Sequence, residues 1–188
     1  EYNENIAYCL NELDSMSDTI DQLLLLARLE SQYSSKLSEK QPIVSILNDI
    51  YQKYSTVIES KNLNLNTDNY CSKPFYVPAF HANLLLENIL SNAIKYTGVK
   101  GEINIRMRDN QNSVIVEISD NGIGINQEDT SKIFTPFYRS HPLDHKHITG
   151  NGLGLSIAHK AAEALNAEIS VNSKLDEGSS FLIILSKS

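Results

Sequence analysis

The sequence has few cysteines and no long apolar run, and each shortage limits what the chain can be. Its longest run of apolar side chains, residues 23–27, is far shorter than the ~20 residues needed to cross a bilayer. No signal peptide is visible, so we expect a cytoplasmic segment without membrane contact. Cys9 and Cys71 fit no metal-binding spacing, which favours a reducing compartment and two free thiols.

Positive charge is also scarce. The 188 residues include 16 Lys and Arg against 23 Asp and Glu, a formal net charge of −7. Non-specific nucleic-acid binding needs clustered Lys and Arg, so we expect no nucleic-acid partner. An anionic ligand would have to be held by local geometry, such as helix amino termini and a few cations. The length suits one domain with an appendage.

Neither glycine nor proline interrupts the first part of the chain. Its apolar residues are spaced alternately by three and four, at Ile6, Cys9, Leu13, Met16, Ile20, Leu23 and Ala27. This heptad seam predicts a long, coiled-coil-like helix that needs a partner helix. No other stretch matches its length, so the partner is missing or belongs to another subunit; a helix folded back on its own domain is the alternative. The Ser-rich stretch 31–40 predicts a hinge or linker.

Helix signals predict two further helices before the first glycine cluster. Ser38 and Gln41 resemble a capping box, followed by an apolar stripe at helical spacing over residues 43–58. The next helix is predicted over residues 80–96, with Gly98 as its stop signal.

Alternating apolar and polar residues predict six strands. They lie around residues 63–65, 75–77, 103–107, 114–118, 169–171 and 181–185. A short turn joins the third and fourth, which predicts a hairpin with one buried face. A fourth helix is predicted to open near Gly152, before the last two strands. The pattern predicts an α/β two-layer sandwich, a mixed and mostly antiparallel sheet with helices on one face, preceded by the long helix.

One face of the helix at 80–96 has an unusual composition. Asn88, Asn92, Lys95 and Tyr96 are spaced by three or four residues, so they share a face. Amide oxygens suit a hard cation, a lysine suits phosphate and an aromatic ring suits a base. A solvated polar face is the alternative.

Two glycine clusters follow. In residues 120–125, Asp120 stands at a strand end and could accept a hydrogen bond from an exocyclic amine, a way to read adenine; a plain turn is the alternative. Residues 150–155 precede a helix, so their free amides would form an anion cradle. The glycine spacing there matches neither a Walker loop nor the dinucleotide fingerprint.

Taken together and in order, these clusters resemble the motifs of sensor histidine kinases of two-component systems. The asparagine, first glycine, phenylalanine and second glycine boxes correspond to Asn88-x-x-x-Asn92, Asp120-x-Gly122-x-Gly124, Phe134-x-x-Phe137-Tyr138-Arg139 and Gly150-x-Gly152-Leu153-Gly154-Leu155. The stretch 178–181 resembles the last box, and residues 24–30 resemble the second helix of that family's dimerisation and phosphotransfer hairpin. The resemblance implies a Bergerat-type ATP-binding fold over residues 38–188, preceded by the hairpin helix and linker over residues 1–37.

The resemblance also implies ATP and Mg²⁺ as cofactors. It assigns Mg²⁺ to Asn92, with Asn88 close by on phosphate or metal. Lys95 and Arg139 would reach phosphates, Arg139 the γ-phosphate, and these two with Asn88 are the implied catalytic residues. The remaining implied nucleotide contacts are Tyr96, Asp120, Gly122, Gly124, Ile125, Phe137, Gly150, Asn151, Gly152, Leu153, Gly154, Leu155 and Ser180. Phe134 would anchor the lid together with Phe137.

The resemblance breaks down at the phosphoacceptor. The family's acceptor histidine is followed by an acidic residue on the first hairpin helix, and none of the five histidines lies on the long helix here. We therefore expect a truncated kinase that binds ATP without phosphorylating itself. His141, His145 and His147 favour a mobile lid over a metal site.

The implied function is transfer of the γ-phosphoryl group of ATP to a histidine on a helix absent from this fragment, and from there to a response-regulator aspartate. The full-length protein would be a homodimer and a membrane-anchored receptor with this portion in the cytoplasm. A non-catalytic nucleotide-binding module, a degenerate kinase scaffold, is the alternative. Related gyrases, chaperones and mismatch-repair ATPases use a glutamate base where this chain has Asn88, which cannot accept a proton from water. Glu87 is rotated away by about 100°.

Overall fold

The computed structural model describes residues 2–30, 39–140 and 150–187. Of the predicted linker at 31–40, residues 31–38 lie outside these ranges, and Ser38 of the predicted capping box is among them. The three histidines of the predicted lid also lie outside. The helices are α1 (Tyr2–Glu30), α2 (Ile43–Ser60), α3 (Ala79–Tyr96) and α4 (Gly154–Ala164). The strands are β1 (Lys40–Pro42), β2 (Asn64–Asn69), β3 (Tyr76–Pro78), β4 (Glu102–Asp109), β5 (Ser113–Asp120), β6 (Ala167–Lys174) and β7 (Gly178–Ser186).

The main sheet has the strand order β2-β4-β5-β7-β6. The β2–β4 pair is parallel, and the other pairs are antiparallel. In the predicted hairpin, Ile105 faces Ile118 and Met107 faces Val116, and all four side chains are buried. The alternation of apolar and polar residues therefore places one face of the sheet against the helices. The predicted two-layer α/β sandwich is confirmed, and β1 with β3 forms a separate antiparallel pair.

The helix α3 is the centre of the core. Its buried apolar residues recur at helical spacing: Ala82, Leu85, Leu86, Ile89, Leu90, Ala93 and Ile94. They join buried residues of α2, α4 and the sheet in one cluster. This stripe turns the opposite face of α3, with Asn88, Asn92 and Lys95, away from the core.

The predicted cap of α2 is wrong, whereas α3 ends at the predicted residue, Tyr96. Pro42, without a side-chain cap hydrogen bond, takes the N-cap position of α2, and Gln41 pairs with Val77 in the β1–β3 ribbon instead of joining a capping box. The helix α3 ends because Thr97 turns extended, with ψ 133°. Gly98, the predicted stop signal, is not among the left-handed glycines.

The long helix α1 folds back onto the domain, but not through its heptad seam. Near its carboxyl end, Leu26 packs against Leu153 and Ile157, and Leu25 and Leu29 join this cluster. The exposed apolar residues of α1 are Ile6, Leu10, Leu13, Met16, Ile20, Leu23 and Leu24. The seam therefore lacks a partner among the described residues. No helix in this part of the chain has the length and apolarity to cross a membrane.

Candidate nucleotide site

A cavity of about 640 Å³ opens between α3 and the two glycine loops. Thirteen of the predicted site residues line it: Asn88, Asn92, Lys95, Tyr96, Asp120, Gly124, Ile125, Arg139, Gly150, Asn151, Gly152, Gly154 and Leu155. These residues come from one helix, one strand end and two loops that are far apart in sequence. The fold therefore brings the clusters to one place, although their roles toward a ligand stay predictions.

Four predicted site residues do not line the cavity. Leu153 is fully buried against Leu26 and Ile157, so its side chain is structural. Gly122 lies just behind the wall, where a Cβ would come 2.6 Å from the carbonyl oxygen of Tyr96. Phe137 is largely exposed.

Ser180 is the fourth of these residues, and it lies one strand position away from the serine that lines the cavity. Its hydroxyl donates a hydrogen bond to the Glu117 carboxylate at 3.0 Å, whereas Ser179 and Phe181 line the cavity. Because neighbouring strand residues point to opposite faces, the serine of the last box that reaches the site is Ser179. We therefore place the predicted contact of the last box at Ser179 rather than at Ser180.

The polar face of α3 forms one wall. The side-chain amide of Asn88 is already engaged, because its Nδ2 donates a hydrogen bond to the carbonyl of Leu84 at 2.8 Å. The ammonium of Lys95 lies 5.2 Å from the centroid of the Tyr96 ring. Burial, and then the charge of nearby Arg139, lower the pKa of Lys95. An anion bound between Lys95 and Arg139 would stabilise both charged side chains and raise the pKa of Lys95.

Asp120 forms the wall at the end of β5. Burial raises the pKa of its carboxyl group, and hydrogen bonds from the backbone amides of Gly122 and Ser179 offset part of that rise. The Gly122 amide lies 2.8 Å from Asp120 Oδ1. A buried carboxylate of this kind gains from a further donor. An exocyclic amine on a bound base would supply one.

The second glycine loop packs directly against α3 and the lid. A Cβ on Gly154 would come 2.8 Å from Asn88 Oδ1, so a larger residue at the start of α4 would force the Asn88 side chain to move. Gly152 has φ 75° and its carbonyl accepts the Phe137 amide at 3.0 Å. Helix α4 starts at Gly154 without a side-chain cap. The first amides of an α-helix have no partner within the helix, so those of α4 stay candidates for the predicted anion cradle.

The phenylalanine box has a structural part and a part that reaches the cavity. Phe134 packs against the core, and its ring centroid lies 5.3 Å from that of His159. Tyr138 donates to Asp129 at 2.6 Å and lines the cavity with Arg139. The structure thus places Arg139, the predicted γ-phosphate ligand, beside Lys95.

Several cavity residues were not predicted. Gln22 of α1 lines the cavity, and its side-chain oxygen accepts a hydrogen bond from Asn151 at 3.0 Å. Thr19 accepts from the same amide at 3.3 Å. Tyr54, Val57 and Lys61 of α2 also reach the wall. No pattern in the sequence indicates these contacts, because they join residues remote along the chain.

The residues present fit a nucleotide-bound metal better than a protein-held one. Within the described ranges, no three His, Cys, Asp or Glu side chains cluster as a metal site. The hard-oxygen donor offered beside the cations is the amide of Asn92. A divalent ion here would therefore need phosphate oxygens as its remaining ligands.

Comparisons with known proteins give matches over much or all of the chain. The family described as "Histidine kinase-, DNA gyrase B-, and HSP90-like ATPase" matches residues 79–188. The sensor protein SrrB of Staphylococcus aureus (strain MRSA252) is 32% identical over all 188 residues. This chain spans 32% of that relative's length.

Two solved structures share the fold. The histidine kinase AdeS of Acinetobacter baumannii aligns with TM-score 0.78 and 24% identity, covering 96% of this chain and 83% of that chain. Full-length ShkA in complex with AMPPNP aligns with TM-score 0.78 and 19% identity, over 98% of this chain and 39% of that chain.

Proposed function

We propose, from the premise that this chain belongs to the family of histidine kinase-, DNA gyrase B- and HSP90-like ATPases, that its cavity binds ATP with Mg²⁺ for phosphoryl transfer to a histidine. The observation that carries the proposal is the convergence of three features on one cavity. They are the amide of Asn92, the buried carboxylate of Asp120 and the cation pair of Lys95 and Arg139.

Each part of the nucleotide has a counterpart. Asp120 would accept a hydrogen bond from the adenine amine, with Tyr96 beside the ring. Lys95, Arg139 and the free amides at the start of α4 would hold the phosphates. Asn92 would hold Mg²⁺, which supplies charge neutralisation between the phosphates when bound. The AMPPNP in the ShkA structure is a compound of the same class.

The carboxylates around α3 favour transfer over hydrolysis. Among the described residues that line the cavity, Asp120 is the one carboxylate, and it lies where the base would bind. Glu87 points toward α2, where it pairs with Lys53 and accepts a hydrogen bond from Tyr54 at 3.1 Å. Asn88 carries no proton-accepting group for water. A positioned imidazole would therefore outcompete water as the nucleophile.

We further propose the partners and the boundaries of this protein. The exposed heptad seam of α1 supports pairing with a second subunit, with residues 1–37 as hairpin helix and linker and residues 38–188 as catalytic domain. The phosphoryl group would pass from a histidine of the dimerisation domain to a response-regulator aspartate. The similarity to SrrB, a sensor protein, supports that role.

Radiolabelled phosphoryl transfer tests the proposal. We expect the full-length protein, given Mg²⁺ and γ-labelled ATP, to acquire acid-labile, alkali-stable label on histidine. Asn92→Ala should abolish labelling, whereas Asn83→Ala, on the same helix but bonded to Glu87, should not. Release of inorganic phosphate without labelled histidine would indicate an ATPase. Nucleotide binding with neither product would indicate a non-catalytic module.

A further inference from the structure

The last turn of α3 presents two cavity residues, Lys95 and Tyr96. The final carbonyls of an α-helix have no partner within the helix, so this turn needs outside support to hold one conformation. The Nζ of Lys61 supplies it. It lies 2.8 Å from the carbonyl oxygen of Ile94 and 3.0 Å from those of Lys95 and Thr97.

The three contacts match the three donors of an ammonium group. Lys61 lines the cavity, yet its donors are already directed at backbone oxygens. It is therefore placed to act on the site through α3 rather than as a phosphate ligand. Its positive charge also lies where the helix dipole is negative.

Lys61 is fixed at its own backbone. It is the C-cap residue of α2, and its carbonyl accepts the Lys100 amide at 2.8 Å. The side chain is partly buried, and this burial lowers its pKa. A cation held by three carbonyls links the end of α2 to the last turn of α3.

The same turn also supports the first glycine loop. The Tyr96 carbonyl accepts the Ile123 amide at 3.4 Å, and a Cβ on Gly122 would lie 2.6 Å from that carbonyl oxygen. A shift of the last turn of α3 would therefore move the loop that carries Asp120. Both the base end and the phosphate end of the cavity depend on this turn.

We propose that Lys61 is a positioning residue for nucleotide binding, because its ammonium fixes the last turn of α3 and through it Lys95, Tyr96 and the first glycine loop. This inference rests on the proposed function, since it assumes that the cavity binds an adenine nucleotide. It goes beyond that function by assigning a role to a residue of α2, outside the nucleotide motifs.

The test compares three variants by titration calorimetry with MgADP and by amide hydrogen exchange. Lys61→Met keeps the aliphatic stem and removes the donors, and we expect about tenfold weaker binding or more. The amides of Thr97 and Ile123 should exchange faster. Lys61→Arg restores a cation with several donors and should recover most of the affinity. Lys53→Met, on the same helix but paired with Glu87, is the matched control and should bind as wild type.

The outcomes separate the two proposals. Wild-type protein that fails to bind MgADP would overturn the proposed function and this inference with it. Normal wild-type binding with an unchanged Lys61→Met affinity would overturn the inference alone. Weakened binding without faster exchange in the last turn would also overturn it, since Lys61 would then act as a direct ligand. If Lys61→Met does not fold, Lys61→Gln, which keeps a neutral donor, replaces it, and the same readouts decide.

Discussion

Replacing Asp120 with asparagine separates the requirements of the fold from those of the ligand. The change exchanges one carboxylate oxygen for an amide nitrogen at nearly constant volume. In the nucleotide-free protein, burial is the main influence on this group and raises its pKa, against the two backbone hydrogen bonds that lower it. Folding therefore disfavours the charged form of Asp120 relative to the unfolded chain.

The sign for stability follows by linkage. A carboxyl group whose pKa is raised in the folded state contributes stability that is present below its unfolded pKa and is lost as the pH rises through its folded pKa. At neutral pH the ionised Asp120 is thus a cost to folding. We expect Asp120→Asn without nucleotide to be at least as stable as wild type.

The sign for binding is opposite. A hydrogen bond to a charged acceptor contributes roughly 1.5–3 kcal/mol, so losing it should weaken MgADP binding about 10- to 150-fold. Calorimetric titration measures the affinity, and thermal unfolding without nucleotide measures the stability. Wild-type affinity in the variant would refute the role of Asp120 in reading the base. Loss of binding together with a lower melting temperature would refute the linkage reasoning.

Asp109, at the other end of the hairpin, is the matched control. Hydrogen bonds from Lys187 and Ser72 lower the pKa of Asp109 to about 2. Its stability contribution is present above the unfolded pKa and is lost as the pH falls through the folded pKa of about 2. We therefore expect Asp109→Asn to lower the melting temperature at neutral pH and to leave MgADP affinity unchanged, the reverse of Asp120→Asn.

Three further predictions concern other walls of the site. Gly154→Ala places a methyl group 2.8 Å from Asn88 Oδ1 and should weaken MgADP binding and cost about 1–3 kcal/mol of stability, measured by titration and denaturant unfolding. Because the pKa of Lys95 is lowered, MgADP affinity should fall as the pH rises through that pKa. Lys95→Met should bind MgADP weakly and should not show this fall. A variant with the same pH profile as wild type would contradict the assignment of Lys95 as a phosphate ligand. Leu26→Ala removes the buried contact of α1 with α4 and should cost about 2–5 kcal/mol, seen as faster hydrogen exchange in the last turns of α1 with sheet protection unchanged.

The sequence predicted what depends on local periodicity. Asn88, Asn92 and Lys95 share a face because the helical period fixes their spacing. The two glycine loops were likewise placed at the cavity, since a strand end and a helix start leave backbone groups available there. The cavity lining favours Ser179 over the predicted Ser180, because side chains alternate between the two faces of a strand and one step in register decides which hydroxyl faces the site.

Contacts between distant residues were not predictable. The Asn151–Gln22 hydrogen bond spans 129 residues, and Lys61 reaches carbonyls 33 to 36 residues away. No sequence pattern links Asn151 to Gln22, or Lys61 to the carbonyls that it contacts. The end of α3 was predicted at the right residue, but its last carbonyls accept hydrogen bonds from Lys61 and are not satisfied by a glycine C-cap.

The most direct test is a pair of backbone amide NMR spectra of this chain, with and without saturating MgADP. We predict chemical-shift changes concentrated in residues 88–96, 120–125 and 150–155, with those around Asn92 reduced when EDTA removes Mg²⁺. Changes confined to another surface, or none at millimolar nucleotide, would contradict the nucleotide site.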